Sequence, residues 1–271
     1  MTGRVEGKVA FITGAARGQG RSHALNLAVE GADIIAVDIC EPSGSDMYVF
    51  ATPEDLEETA RLVKETGRRI VTAHVDVRDR DAVQAACDAG VAELGRLDIV
   101  LANAGISTLG TWDEVDDKTW RDTIDINLTG VWNTLRAGTP HLINAGGGAM
   151  VATSSTLGIV GRPFFTAYVA SKHGVVGIMK SLAQELAKHN IRVNTVHPTG
   201  VDTPMLDGLG GMDGLFSKDP AQAPFFENVL KTPNGLVEAQ DISNAVMFLV
   251  SDTGRYVTGL ELKVDAGLTI H

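Results

Sequence analysis

Seven short runs rich in β-branched and other apolar residues recur along the chain, and longer amphipathic runs separate most of them. The short runs lie at 9–12, 34–37, 70–73, 97–101, 149–152, 191–196 and 260–264. Helical patterns lie near 19–30, 54–66, 79–94, 117–144, 166–189 and 239–250. Strands separated by helices run parallel with right-handed crossovers, and nearly unbroken apolar strands suit a sheet covered on both faces. The expected class is α/β: a doubly wound Rossmann fold, a seven-stranded parallel sheet with helices on both faces.

At about 150 residues per domain a chain of 271 residues could hold two, yet α/β chains of this length often fold as one. No repeat, low-complexity tract or composition shift marks a boundary, so a single domain over 1–271 is expected. Two segments stand outside the alternation. The first, 39–53, contains Glu41-Pro42-Ser43-Gly44-Ser45 and Tyr48-Val49-Phe50, roughly twice a normal strand-to-helix loop, and reads as an insertion. The second, 200–236, holds Pro204, Pro220, Pro224 and Pro233, glycines 208, 210, 211 and 214, and the apolar Met205, Leu206, Phe216, Phe225 and Phe226. A turn-rich segment with large apolar side chains reads as a substrate lid.

A formal charge of −11 disfavours nucleic acid and anionic membrane as partners, since both reward a basic surface. With 44% apolar residues and 30 glycines the chain is neither disordered nor a small disulfide scaffold. Cys40 and Cys87 have no partner motif, so no metal site is expected and both thiols read as reduced. Met1 to Lys8 carry no apolar core of a secretory signal, and the longest uncharged stretch, 137–161, is broken by Pro140 and glycines 146–148. A cytoplasmic location is expected.

The first strand runs into Thr13-Gly14-Ala15-Ala16-Arg17-Gly18-Gln19-Gly20, and a helix follows. Glycines allow a tight turn and close approach of backbone N–H groups to a pyrophosphate, and a helix N-terminus adds donors and partial positive charge. The next strand ends at Asp38, where a carboxylate can accept from the adenosine ribose hydroxyls and repel a 2′-phosphate. Arg17 in the turn could instead pair with such a phosphate. Residue 39 is Ile rather than a basic residue, so Asp38 is weighted more heavily and NAD is the expected cofactor.

Further signatures follow in order: Asp76-Val77, Asn103-Ala104-Gly105, Asn127 in Ile126-Asn127-Leu128-Thr129-Gly130, Ser154-Ser155, and Tyr168-Val169-Ala170-Ser171-Lys172. With the glycine turn they resemble the classical short-chain dehydrogenase/reductase family across essentially the whole chain. The resemblance implies that Gly14, Arg17, Gly18, Gln19, Gly20, Asp38, Asp76, Val77, Asn103, Ala104 and Gly105 line the cofactor site. It implies a catalytic set of Ser155, Tyr168, Lys172 and Asn127, with Asn127 helping to hold a water near the lysine.

Part of this chemistry follows from the residues themselves. Tyr168 and Lys172, four apart on a helix, share one face. A phenol with a pKa near 10 is a poor base at neutral pH, and a neighbouring ammonium and a positive nicotinamide ring both favour phenolate. Tyr168 is then base for alcohol oxidation and acid for ketone reduction, while Lys172 also reaches the nicotinamide ribose. By the family pattern Ser155 donates to the substrate oxygen. Ser154 is the second candidate for that position.

After the sixth strand stands His197-Pro198-Thr199-Gly200-Val201-Asp202-Thr203. By resemblance, Pro198, Val201 and Thr203 meet the nicotinamide end. The family pattern has glycine directly after the proline where this chain has Thr199, which puts the backbone path to Val201 in question. His197, a lone strand-end histidine, reads as a structural residue outside the site.

The 39–53 insertion, His197-Pro198-Thr199, and the stretches at 239–246 and 255–259 resemble the carveol dehydrogenase-like, mycofactocin-coupled branch of actinobacteria. That implies a loop retaining NAD, with Tyr48, Val49 and Phe50 over the adenosine, and a mycofactocin redox partner; a mobile surface insertion is the alternative. A hydrophobic secondary alcohol is the expected substrate, with a cyclic terpene alcohol such as carveol among those that fit. Helices near 117–144 and 166–189 commonly form tetramer interfaces in the family. Two other functional classes stay open: a catalytically silent binding module, against which the intact Ser155, Tyr168, Lys172 and Asn127 argue, and a sugar-nucleotide epimerase or dehydratase, whose wider glycine spacing and larger C-terminal domain this chain lacks.

Overall fold

The computed structural model describes residues 3–41, 50–207, 216, 217 and 219–270. All seven expected strands form: β1 (Val9–Thr13), β2 (Asp33–Asp38), β3 (Ile70–His74), β4 (Ile99–Ala102), β5 (Gly148–Thr153), β6 (Ile191–Pro198) and β7 (Glu261–Val264). They make one parallel sheet in the order β3-β2-β1-β4-β5-β6-β7. After β3 the chain crosses to the far side of β1, so the loops leaving β1 and β4 diverge and open a crevice at their carboxyl ends.

The helices are α1 (Gly18–Val29), α2 (Pro53–Glu65), α3 (Arg80–Leu94), α4 (Asp117–Ile124), α5 (Gly130–Asn144), α6 (Thr166–Glu185), α7 (Pro204–Asp207) and α8 (Ala239–Val250). Their starts are legible in the chain: Thr52 and Asp55 form a capping box with Pro53 at the first position of α2, and Asp79 and Asp116 accept first-turn amides of α3 and α4. Strand alternation divides the core in two. Val9 and Phe11 of β1 join Val83, Leu135, Val175 and Met179 on one face. Ala10 and Ile12 join Leu27, Leu56, Ile242 and Val246 on the other.

The stretch 117–144 is not one continuous α-helix. Asp125–Thr129 winds as a π-helical turn between α4 and α5. The wider turn admits an extra residue and carries Asn127 inward, where it is fully buried. Gly130 lies against Val77, whose Cγ2 would stand 2.5 Å from any added Cβ.

Of the 39–53 insertion, residues 42–49, including Tyr48 and Val49, lie outside the described residues. Phe50 and Ala51 border the crevice, and Phe50 also packs on the core. Of the 200–236 segment, glycines 208, 210, 211 and 214 lie outside the described residues. The described part contains α7 and two 3-10 turns, Pro220–Phe226 and Pro233–Gly235. Its roots are pinned together: Val201 bridges Val237, with Val237 N–H donating to Gly200 C=O and Asp202 N–H to Val237 C=O, both at 2.9 Å.

Candidate active site

The glycine turn forms one end of the crevice. Gly14 has φ +67°, and a Cβ there would stand 2.8 Å from Ala104 Cα; one on Gly20 would lie 1.9 Å from Gly14 O. Only glycine allows this packing of turn against neighbouring loop. No side chain caps α1 and no acidic residue sits in its first turn. Gln19, on the crevice wall, has a buried Oε1 without a hydrogen-bond partner. A close backbone approach and an uncapped helix start, whose N–H groups are donors, fit a dinucleotide pyrophosphate, while the Gln19 amide oxygen can only accept from a donor such as a hydroxyl.

Asp38 lines the crevice beside the glycine turn. Its carboxylate accepts from Ala16 N–H at 3.0 Å and from Cys40 N–H at 3.4 Å. Burial lifts its pKa above the ordinary carboxylate value, against these amides and the charge of Arg17. Asp38 therefore braces the turn and also faces the crevice, which Arg17 borders too. Asp76 and Val77 continue the wall, and Asp76 is paired with Arg78 at 2.6 Å.

Asn103 joins three strand ends. Its amide donates to the carbonyls of Thr13 and Gly14 at 3.1 and 3.2 Å, its Oδ1 accepts from Thr153 Oγ1, and its backbone N–H donates to Thr13 Oγ1. Ala104 N–H also donates to Thr13 Oγ1. This holds Ala104 and Gly105 against the glycine turn.

At the other end, Ser155 follows β5, while Tyr168 and Lys172 stand one turn apart on α6. Lys172 Nζ lies 5.5 Å from the Tyr168 ring centroid and donates to Thr153 C=O at 2.8 Å. Ser155 Oγ accepts Leu157 N–H at 3.1 Å, which leaves its own proton available, and Ser155 hydrogen-bonds Tyr168. Ser154 Oγ donates to Lys172 C=O at 3.0 Å and so serves as a tie between β5 and α6.

The protonation balance differs from the sequence expectation. Burial pushes the Tyr168 phenol up to about 12, with the Ser155 hydrogen bond acting the other way, and burial pulls Lys172 down to about 8. A low-dielectric pocket disfavours phenolate and ammonium alike, so the lysine does not by itself bring the tyrosine into the neutral range.

The Asn127 side chain is held from two sides. Its Oδ1 accepts Ile106 N–H at 2.8 Å, and its amide donates to Ile106 C=O at 2.8 Å and Ser171 Oγ at 3.3 Å. Its side chain is spent on the loop after β4 and does not border the crevice, although Asn127 and Lys172 both flank Gly105, 3.1 and 3.5 Å from an added Cβ.

Pro198, Val201 and Thr203 line the same crevice as Lys172. Thr199 lies outside the positive-φ region, and its N–H donates to Val264 C=O at 3.2 Å, extending the β6–β7 pairing. The backbone thus needs no glycine at 199 to reach Val201. Thr199 Oγ1 donates to Asn228 Oδ1 at 3.1 Å, and Asn228 donates to Thr232 Oγ1 and Gly235 C=O.

Residues 14–269 match a family model described as enoyl-(acyl carrier protein) reductase. A short-chain dehydrogenase of Mycobacterium paratuberculosis, solved bound to NAD, is 47% identical over 99% of this chain and 100% of its own, with a TM-score of 0.94. The chain belongs to the short-chain dehydrogenase/reductase family. A carveol dehydrogenase of Mycobacterium avium, solved in complex with NAD, is 52% identical over the whole of both chains with a TM-score of 0.93. The (-)-trans-carveol dehydrogenase of Rhodococcus erythropolis is 50% identical over 98% of this chain and 99% of its own.

In this short-chain dehydrogenase/reductase, every residue expected to line the cofactor site borders one crevice, as do Ser155, Tyr168 and Lys172. Sequence reading passed over the Thr13 hydroxyl, the Thr199–Asn228 tie and Leu268 on the crevice wall. Thr199 alone carried a signal, its departure from the family glycine. Leu268 is about 100 residues from Tyr168 in the chain, beyond any local pattern.

Proposed function

We propose that the protein is an NAD-dependent oxidoreductase that interconverts a hydrophobic secondary alcohol and its ketone. The observation that carries this reading is the convergence of Ser155, Tyr168 and Lys172 on the crevice whose far end holds the glycine turn and Asp38. Gly14, Gly18, Gln19 and Gly20 would meet the pyrophosphate, Asp38 the adenosine ribose, Asn103 to Gly105 and Lys172 the nicotinamide half, and Pro198, Val201 and Thr203 the carboxamide. NAD, when bound, supplies the hydride acceptor. Tyr168 takes the hydroxyl proton during oxidation and returns it during reduction, while Ser155 donates to the substrate oxygen as its charge develops.

Around Ser155 and Tyr168 the described wall is apolar, with Leu109, Leu157, Phe165, Met205, Leu206 and Phe226. The charged residues described on the crevice are Arg17, Asp38, Asp76 and Lys172, all assigned above to the cofactor or the proton transfer. An uncharged substrate fits this wall, and among the described residues that line it a carboxylate finds no cation but Lys172. A cyclic terpene alcohol such as carveol matches both the wall and the named activity of the Rhodococcus erythropolis relative.

Turnover of carveol and other cyclic secondary alcohols, compared with hydroxycyclohexane carboxylates, tests the substrate class. Tyr168→Phe tests the chemistry: a loss of about 10²–10⁴-fold in kcat is expected, and near wild-type NAD-linked activity would refute the mechanism.

Phe50 and Ala51 on the crevice rim support a retained cofactor served by a mycofactocin redox partner. Protein recovered empty of nicotinamide after extensive dialysis and denaturing release would exclude retention. Trp120 on α4 and Trp132 on α5 are partly exposed, in keeping with a homotetramer, which light scattering would test. The buried free thiols Cys40 and Cys87 suit a cytoplasmic enzyme. No described helix is long and apolar enough to cross a membrane.

A further inference from the structure

We propose that His197 is a positioning residue for Ser155, its ring N–H holding the serine backbone so that the hydroxyl stays directed at the reacting oxygen. The inference rests on the catalytic reading of Ser155 above. His197 is fully buried at the carboxyl end of β6, next to the exit of β5. Its Nδ1 lies 2.7 Å from the Ser155 carbonyl oxygen, and its Nε2 lies 2.8 Å from Thr195 Oγ1.

The β5–β6 ladder ends just before Ser155, and the rung lost at Pro198 would have met the Ser154 carbonyl, so the Ser155 carbonyl takes its donors from outside the ladder. The last rung between β5 and β6 is Ser154 N–H to Val196 C=O at 2.9 Å. Pro198 has no N–H with which β6 could add the next one. The imidazole of His197 supplies a donor just past the break, and Gly158 N–H adds a second to the same Ser155 carbonyl at 2.9 Å. Ser155 is thus held at its carbonyl by two donors and at its Oγ by Leu157 N–H.

Chemistry assigns the tautomer. A carbonyl oxygen only accepts, so Nδ1 carries the proton and Nε2 accepts from the Thr195 hydroxyl. Burial holds the ring below its ordinary pKa and therefore neutral, with Lys172 and His173 acting in the same direction and Glu261 and the Ser155 carbonyl against it. A neutral, doubly bonded imidazole keeps one orientation, and with it the Ser155 carbonyl, while the Ser155 hydroxyl faces Tyr168.

The test uses His197→Asn, His197→Gln and His197→Leu, each alone and combined with Ser155→Ala, in the full chain. An Asn amide nitrogen reaches the position of Nδ1, whereas a Gln amide reaches that of Nε2. His197→Asn is expected to keep kcat within about threefold of wild type, while His197→Gln and His197→Leu lose about tenfold or more, with NADH affinity within about twofold. On the Ser155→Ala background the three variants should differ by no more than about twofold, because the residue acts through Ser155. Equal losses in Asn and Gln, or a Leu cost undiminished on Ser155→Ala, would overturn the inference. If His197→Leu fails to fold, the comparison of Asn with Gln decides alone. Unchanged kcat in Ser155→Ala by itself would remove the catalytic reading of Ser155 and this inference with it.

Discussion

The ammonium of Lys172 donates to the carbonyl of Thr153 at 2.8 Å, across the join between β5 and α6. This bond keeps a buried cation at the face of the Tyr168 ring, at 5.5 Å from its centroid. Burial sets Lys172 near 8 and Tyr168 near 12, so the protein's own groups leave the tyrosine protonated at neutral pH.

A directional pH dependence follows. Oxidation needs the phenolate and reduction the phenol, so kcat/KM for oxidation should rise with pH and that for reduction should fall. In Lys172→Met, which removes the cation, the rise for oxidation should move upward by about one pH unit or more. Profiles recorded between about pH 6 and 10 would check this, and an unmoved limb would rule out the lysine as an electrostatic aid.

Asp38→Ala should change both selectivity and stability. Without the carboxylate, the preference for NAD over NADP should fall about tenfold or more. The buried Ala16 N–H loses its acceptor, at about 1–3 kcal/mol. Kinetics with both cofactors and a urea titration would measure the two effects; unchanged cofactor preference would show that Asp38 only braces the turn.

Thr199→Gly, which adopts the family residue, severs the bond to Asn228. Substrate KM should rise several-fold as the return of the 200–236 segment loosens, with a stability change of only about 1 kcal/mol and NADH affinity unaltered. An unaffected substrate KM would separate this tie from substrate binding.

His23 should make the fold acid-sensitive. It is buried, with Nδ1 2.8 Å from Ser243 Oγ and Nε2 lacking a partner, and burial lowers its pKa from 6.5 to about 4. The unfolded chain takes up a proton near pH 6.5 and the folded chain only near pH 4. Stability present above pH 6.5 is therefore lost as pH falls through that window, by about 3 kcal/mol. The drop in urea midpoint between about pH 7 and 4.5 should be smaller in His23→Asn than in wild type; equal drops would count against this assignment.

Much of the site was legible because its signals are local. Gly14 and Gly20 mark a turn that no other residue fits, and Asp38 and Asn103 sit at strand ends that alternation locates to within a residue or two. Tyr168 and Lys172 share a helix face by spacing alone. Asn127 was found by its motif, yet the purpose of its amide was not, because Ile106 and Ser171 reach it only through the π-helical turn.

The sequence by itself determined the parallel doubly wound sheet and the glycine turn, since periodicity, caps and short spacings are properties of neighbouring residues, and its resemblance to the family pointed to Ser155, Tyr168 and Lys172. Tertiary structure alone decided what those groups experience. Burial, which no local pattern encodes, sets Tyr168 and Lys172 apart in pKa. A missing N–H at Pro198 matters only once β6 lies beside β5, and there His197 meets a carbonyl 42 residues away in the chain.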